Sequence, residues 1–371
     1  MLPDNLGVFI FADNTDIIMS NKPTQYYKGR GAQINTPNKF HSEIRPLDPN
    51  EFDDPDYKIR TQYIETLAKS IVNEVKSPDV PMGYSLNPYQ GCEHGCVYCY
   101  ARNSHTYWGY SAGLDFETKI VVKTNAPALL RKRLTAKNWT AAQIMVSGNT
   151  DCYQPAEQKY KLTRQLLEVF LERGHPCGLI TKNSLILRDM DLITELNKHQ
   201  LISVTISINT LSEEVRSFME PRTSTILQRL KAVRELSQAG VPVTVLAAPI
   251  VPGLTDHGIF DLVEACAAAG ARSIHHIIVR LNGDVGQIFT DFIHKSFPDR
   301  ADKILNQVRS LHGGRLNDSE WGRRMRGEGP FAEMIRQQFR LAKAKFLPDP
   351  APYILNMDLY EALKNPQLSL F

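Results

Sequence analysis

Three cysteines, Cys92, Cys96 and Cys99, stand in the run Gly91-Cys-Glu-His-Gly-Cys-Val-Tyr-Cys-Tyr100. Thiols at this spacing fit on one short loop, and such a loop offers thiolates to three corners of an iron-sulfur cube. The other cysteines, Cys152, Cys177 and Cys266, lie far along the chain in unrelated contexts. A [4Fe-4S] cluster held here would therefore keep one iron free of protein thiolate. Zinc is the rival occupant, but it takes four ligands, and His94 or His105 would have to complete the set. Disulfides belong to oxidising compartments. The short apolar run Gly7-Val-Phe-Ile-Phe-Ala12 has no basic leader of the signal-peptide kind, so a cytoplasmic location is expected.

The elements that must position these thiols follow from pattern. The chain has 371 residues, 42% of them apolar, which suffices for one large α/β domain with extensions, and no apolar run reaches membrane-spanning length. Its net charge of +3 is too small to imply a nucleic-acid partner without a local patch. Residues 1–80 read as an N-terminal extension with a short helix at Thr61 to Lys76 and a second candidate start at Met19. In this extension, Lys28-Gly-Arg-Gly-Ala32 is a candidate anion site or a plain basic turn. Across 81–285, strands are expected at Gly83 to Leu86, Gln143 to Val146, Cys177 to Thr181, Ser203 to Ile208, Val241 to Ala247 and Ser273 to Val279. Helices are expected at Ala126 to Lys137, Leu162 to Arg173, Asp189 to His199, Thr225 to Gln238 and Asp256 to Ala269, with Gly174, Gly240 and Gly270 as stops. This alternation predicts an α/β fold with a parallel sheet. Residues 286–347 read as a C-terminal helical region in which Trp321, Phe331 and Phe339 are interleaved with Arg323, Arg324, Arg326, Arg336, Arg340, Lys343 and Lys345. That mixture suits a phosphate backbone with base stacking, or a basic solvated face. Residues 348–371, with Pro348, Pro350, Pro352 and Pro366, read as a projecting tail.

The pattern Cys-x3-Cys-x-aromatic-Cys, with Tyr98 as the aromatic, resembles the signature of the radical S-adenosylmethionine (SAM) superfamily. The resemblance implies a partial (β/α)6 barrel, a [4Fe-4S] cluster whose open iron is chelated by SAM, and Tyr98 lying against the adenine. Parallel barrels carry reactive groups at the carboxyl ends of their strands. On that basis Thr150 and Asp151 are candidates to meet the amino group of SAM, and Lys182 to pair with its carboxylate. Ser207 and Asn209, which share a face by the two-residue period, would reach carboxylate and ribose. The apolar turn Ala248-Pro-Ile-Val-Pro-Gly-Leu254 would flank adenine, and the sixth strand ends near Arg280 and Asn282. An electron donor such as flavodoxin or ferredoxin is implied as a partner.

Several elements read together are similar to the DNA repair photolyase-like, spore photolyase-related bacterial branch. They are Lys28-Gly-Arg-Gly-Ala32, Asn149-Thr-Asp151, Tyr153-Gln-Pro-Ala-Glu157, Lys182 with Arg188-Asp189, and Met219-Glu-Pro-Arg222. The branch implies hydrogen abstraction on nucleic acid, DNA favoured, in repair. In its best understood members a cysteine before a Ser-Asp pair returns a hydrogen, but Asn149 holds that position here. Cys152 is the candidate catalytic substitute, or else a buried structural thiol, and Cys177 and Cys266 are packing residues. Glu220 and Arg222 are expected to pair with each other. The loop of His105, Tyr107, Trp108 and Tyr110 would cover the cluster or stack a base. The terminal Gln367-Leu368-Ser369-Leu370-Phe371 resembles the peptide that docks on the bacterial sliding clamp. The other readings are an RNA- or protein-modifying radical SAM enzyme and a non-catalytic metal-binding clamp adaptor.

Overall fold

The computed structural model describes residues 27–38, 40, 60–80, 82–347 and 353–364, so Met19 and the terminal pentapeptide lie outside the described residues. Ten strands are described: β1 Gln62–Thr66, β2 Val72–Glu74, β3 Tyr84–Leu86, β4 Tyr89–Gln90, β5 Lys119–Lys123, β6 Ile144–Val146, β7 Cys177–Thr181, β8 Ile202–Ser207, β9 Val243–Ile250 and β10 Ser273–Ile278. One sheet runs in the order β10-β9-β8-β7-β6-β3-β2, parallel except for the antiparallel edge pair β2 and β3. Six parallel strands in chain order, with helices between them, are the expected partial (β/α) barrel.

Register follows from burial. Val204 pairs with Leu179 on one side and Val243 on the other, and all three are buried, so the central strands carry near-continuous β-branched and aliphatic runs. The helix Leu162–Glu172 turns Leu162, Leu166, Val169 and Phe170 inward at helical spacing. Each large apolar side chain so buried contributes about 1.5–3 kcal/mol. Gly174 closes this helix at φ +58°, a backbone conformation that favours glycine.

Three expectations need correction. Thr61 to Lys76 is not helical: Gln62–Thr66 lies parallel to β5, pairing Gln62 with Lys119, and Val72–Glu74 pairs with β3. A sheet partner from a distant segment overrides the local pattern. Asp256 does not start a helix; its carboxylate accepts from the Gly253 N–H at 2.7 Å, and the helix begins at Ile259. The tail also folds back over its described part. The helix Asp358–Lys364 buries Tyr360, whose hydroxyl donates to the Leu134 carbonyl at 2.6 Å, because an aromatic with a satisfied polar tip gains more by docking than by projecting.

The small sheet β1-β5-β4 was not anticipated, and it matters for function. β4 pairs antiparallel with β5 and ends at Gln90, one residue before the cysteine loop. Among the described residues no helix is long and apolar enough to cross a membrane.

Candidate functional site

Gly91 leaves β4 at φ +81°, and a Cβ there would sit 2.9 Å from the Lys119 carbonyl oxygen, so only glycine makes this turn. The Cys92 N–H then donates to the Phe116 carbonyl at 2.8 Å. Gly95, at φ +69°, makes the second turn, and Tyr100–Trp108 continues as a 3-10 helix. Cys92 and Cys96 are buried and Cys99 is half-buried. Burial pushes all three thiols up, and the Cys92 thiol is raised further by Asp151, Cys96 and Cys99. The thiols are thus close enough to sense one another's charge, and bound irons would supply the compensation that lets them ionise. Among the described residues no group of three or more His, Cys, Asp and Glu side chains is placed to hold a single metal ion. The residues fit a cube, in which each thiolate takes a different iron, better than zinc. His94 is occupied by Asp151 at 3.3 Å and Asn183 at 3.3 Å, and the His105 ring is enclosed by Tyr110 and Phe116.

Arg102, fully buried, fastens one side of the loop. Its guanidinium donates to the carbonyls of Cys96 at 2.9 Å, Gly95 at 3.1 Å, Gly113 at 3.0 Å and Ala112 at 3.2 Å, and to Glu117 at 2.5 Å. The Glu117 carboxylate in turn accepts from the Gly31 and Ala32 N–H groups at 3.1 and 2.8 Å. The basic N-terminal motif does receive an anion, but that anion is Glu117. The motif therefore braces the loop, and Gly31 is required because a Cβ there would fall 1.7 Å from the Gly95 oxygen.

The run Met219-Glu-Pro-Arg222 fastens the other side. The Val97 N–H donates to the Met219 carbonyl at 3.1 Å and the Arg222 N–H to the His94 carbonyl at 3.2 Å. The Tyr98 hydroxyl donates to Glu220, which pairs with Arg229 at 2.6 Å, whereas Arg222 pairs with Glu93 at 3.4 Å. The expected Glu220–Arg222 pair is thus absent, because each side chain reaches a different partner across the loop. The remaining branch motifs meet beneath the mouth: Arg188 bridges Glu157 and Asp189 at 2.7 Å each, and the Tyr153 hydroxyl donates to Asp189.

The candidates for SAM separate into two groups. Lys182 stands at the mouth, its ammonium 6.0 Å from the Tyr98 ring centre and within electrostatic reach of Cys96 and Cys99. Ser207 is buried at the end of β8, and the Asn209 amide donates to the Pro249 carbonyl at 3.3 Å. Val251 and Leu254 of the apolar turn join Tyr98 in one buried cluster. Thr150 and Asp151, by contrast, are turned inward. The Thr150 hydroxyl donates to the Tyr89 carbonyl at 2.7 Å, and Asp151 accepts from Thr181 and the Lys182 N–H at 2.7 and 2.8 Å. Burial would raise the Asp151 carboxyl, but His94 and these donors bring it down to about 2. Their polar atoms hold the loops around the cysteines in this structure. Cys152 is fully buried in the barrel core, the setting of the structural thiol that is its alternative reading. Asn149 donates to Ser104 at 3.0 Å.

Below the loop the aromatic segment divides its work. His105 is buried and, with Tyr110, covers the loop, while Tyr107 is 73% exposed and Trp108 is also exposed. Tyr100, exposed beside Cys99, donates to the Gly148 carbonyl at 2.5 Å. Arg280 lies within electrostatic reach of Tyr100 and Arg324, and the Arg324 guanidinium stacks 3.8 Å over the exposed Trp321 ring. Much of the basic C-terminal run is neutralised locally, Arg323 by Asp318, Arg324 by Asp79 and Arg336 by Glu333, and Phe339 is buried.

A family model for the radical SAM superfamily matches residues 86–266. An uncharacterized protein of Mycobacterium tuberculosis is 34% identical over 67% of this chain and 73% of its own length. A radical SAM Nalpha-GlyT isomerase of Pseudomonas phage M6 is 30% identical over 58% of this chain and 43% of its own length. Among solved structures, spore photoproduct lyase complexed with dinucleoside spore photoproduct superposes with a TM-score of 0.57 at 18% identity, covering 77% of this chain and 80% of that one, a likeness of fold. With the cysteine loop, the barrel and these matches together, the chain belongs to the radical SAM superfamily, whose enzymes use a [4Fe-4S] cluster, SAM and a reductant.

Proposed function

We propose that this radical SAM enzyme acts by hydrogen abstraction on nucleic acid, most readily damaged or modified DNA, with Cys92, Cys96 and Cys99 as the cluster ligands. When bound at Cys92, Cys96 and Cys99, a [4Fe-4S] cluster with SAM would supply the one-electron chemistry needed for hydrogen abstraction from the substrate. Lys182 holds the SAM carboxylate as a point charge, Ser207 and Asn209 line the same side of the mouth, and Tyr98 with Val251 and Leu254 forms its apolar wall. The 3-10 helix and its buried His105 keep water from the thiols.

One observation carries the choice of nucleic acid. An aromatic and cationic path leads from Tyr100 beside Cys99, past Arg280 at the end of the sixth barrel strand, to Arg324 stacked on Trp321. Exposed rings stack bases and arginines meet phosphates, and a base taken from a duplex has to be extruded to reach a barrel mouth. A solved neighbour that carries a dinucleoside photoproduct supports the reading. The neutralised C-terminal arginines place most of this task on Arg280.

The test uses anaerobically reconstituted, reduced protein with SAM deuterated at its 5′ carbon. DNA carrying the right lesion or modified base should accelerate SAM cleavage and acquire deuterium, and Arg280→Ala should weaken that stimulation about tenfold, the cost of one charge-assisted phosphate bond. Stimulation by RNA or by a protein alone would transfer the substrate to that class, and iron-free protein with stoichiometric zinc would remove the chemistry altogether. The proposal extends to a cytoplasmic setting, a flavodoxin or ferredoxin as reductant, and docking of Gln367 to Phe371 on a sliding clamp. That last part rests on the residue pattern alone and fails if the pentapeptide does not bind the clamp at tens of micromolar or better.

A further inference from the structure

We infer that Glu220 is a positioning residue that both holds Tyr98 in the cluster loop and sets the electrostatic field at Cys96, so that its charge tunes the reduction potential of the cluster. The inference rests on Cys92, Cys96 and Cys99 holding that cluster. Glu220 has no solvent exposure and joins Arg229 to the loop. One carboxylate oxygen accepts the Tyr98 hydroxyl, and the other meets Arg229 at 2.6 Å. Arg229 is fixed in turn by the Ser224 and Ser207 carbonyls at 2.9 and 3.0 Å, so the carboxylate cannot swing away from the loop. The backbone of the same short segment grips the loop at the Val97 N–H, which donates to the Met219 carbonyl.

Geometry places opposite charges against Tyr98, one over its ring and one at its hydroxyl. Lys182 stands 6.0 Å from its ring centre, and Glu220 is bonded to its hydroxyl. Both stand against the cysteine loop two residues from Cys96, Glu220 through the Tyr98 hydroxyl and Lys182 over the Tyr98 ring, and the Met219 carbonyl beside Glu220 holds the Val97 N–H next to Cys96. Adding an electron to a cluster adds negative charge, so a nearby carboxylate opposes reduction and a nearby ammonium assists it, the more so in a buried, low-dielectric site. A pair of opposite charges held at one aromatic side chain gives the protein a fixed setting of that balance.

The sign of the effect separates tuning from mere support. In redox titrations of reconstituted protein without SAM, followed by the EPR signal of the reduced cluster, Glu220→Gln should raise the midpoint and Lys182→Gln should lower it. Each should move the reduction equilibrium about tenfold, which for one electron is ~59 mV. Tyr98→Phe, which removes the bond to the carboxylate but not its charge, should shift the midpoint less than either. Because Glu220→Gln leaves Arg229 buried without its partner, the double variant Glu220→Gln with Arg229→Gln is measured beside it, and a smaller upward shift is expected there. Unshifted midpoints in iron-replete Glu220 variants would overturn the inference, as would a shift of the same sign for Glu220→Gln and Lys182→Gln. Wild-type protein that binds no iron would instead overturn the ligand assignment on which it rests.

Discussion

Replacing Arg102 with Met keeps most of the side chain's length and apolar stem while removing every donor. The guanidinium makes five hydrogen bonds in full burial, to four carbonyls and to Glu117, and it also lies 5.1 Å from the Phe116 ring centre. Glu117 would keep the Gly31 and Ala32 N–H groups and the neighbouring Arg30 guanidinium, but lose the Arg102 cation bonded to its carboxylate. Breaking a buried pair from one side costs about 3–5 kcal/mol, because the charge left behind is desolvated and unpaired. At about 2 °C per kcal/mol for a chain of this size, the apparent melting point should fall by about 6–10 °C. Two of the orphaned carbonyls belong to Gly95 and Cys96, inside the cysteine loop, so iron content after reconstitution should fall although no thiol has been touched. Arg102→Lys retains a charge near Glu117 but presents its donors from a single nitrogen, which cannot span carbonyls on both flanks, and should recover only part of the loss. Calorimetry and iron per chain, measured for all three proteins, decide it. Full iron and a melting point within about 2 °C of the parent in Arg102→Met would refute the role assigned to the arginine.

Gly31→Ala should imitate that variant, since its methyl would lie 1.7 Å from the Gly95 oxygen and no flexible group can yield; iron binding at the wild-type level would show that the loop tolerates displacement. Lys182→Ala should weaken SAM binding by about 1–3 kcal/mol, roughly five- to 150-fold by equilibrium titration, with iron content unchanged. His175 is fully buried and accepts from the Trp139 indole N–H at 3.0 Å, and burial brings it down to about 4 from its ordinary 6.5. The neutral ring is the folded form, so its contribution is complete above pH 6.5 and is lost as pH falls from there toward 4, by about 3 kcal/mol. His175→Phe should therefore flatten the loss of stability between pH 7 and about 4.5, and an unchanged acid profile by urea unfolding would exclude His175 as its source.

The barrel was legible because its signals are local and repeated: aliphatic runs such as Cys177–Thr181 and glycines at helix ends, with Gly174, Gly240 and Gly270 all at positive φ. The cysteine loop was legible because its spacing is itself the chemistry. What could not be read were pairings between side chains far apart in sequence. Glu220 and Arg222 are near neighbours, and adjacency suggested a pair, yet their partners are Arg229 and Glu93. Thr150 and Asp151 occupy the expected loop, but spacing cannot say whether a side chain faces a ligand or the Tyr89 carbonyl and Thr181. Arg102 and Glu117 were missed entirely. The one available signal was an arginine three residues after the last cysteine of an otherwise apolar, buried stretch, where an unpaired charge could not survive.

The unusual density of buried charge around residues 91–102 has a backbone cause. A loop that wraps a cluster cannot form a ladder, and its own bonds are long: the Gly95 N–H to Cys92 at 3.4 Å and the Cys99 N–H to Cys96 at 3.3 Å. Buried peptide groups must still be satisfied, so partners have to come from elsewhere. They come from every side. Gln154 serves the Gly91 carbonyl and the Glu93 N–H, Phe116 serves Cys92, Met219 serves Val97, and Arg222 serves His94. Arg102 alone takes two carbonyls. Buried ion pairs are weak stabilisers compared with apolar packing. Here the pairs Arg102 with Glu117 and Arg229 with Glu220 hold donors and acceptors at fixed points around a backbone that cannot pair with itself. The geometry offered to the irons is accordingly set by the N-terminal motif, the barrel strands and the segment after β8 together. A substitution at any of these contacts with the loop should lower iron content even where every thiol is intact.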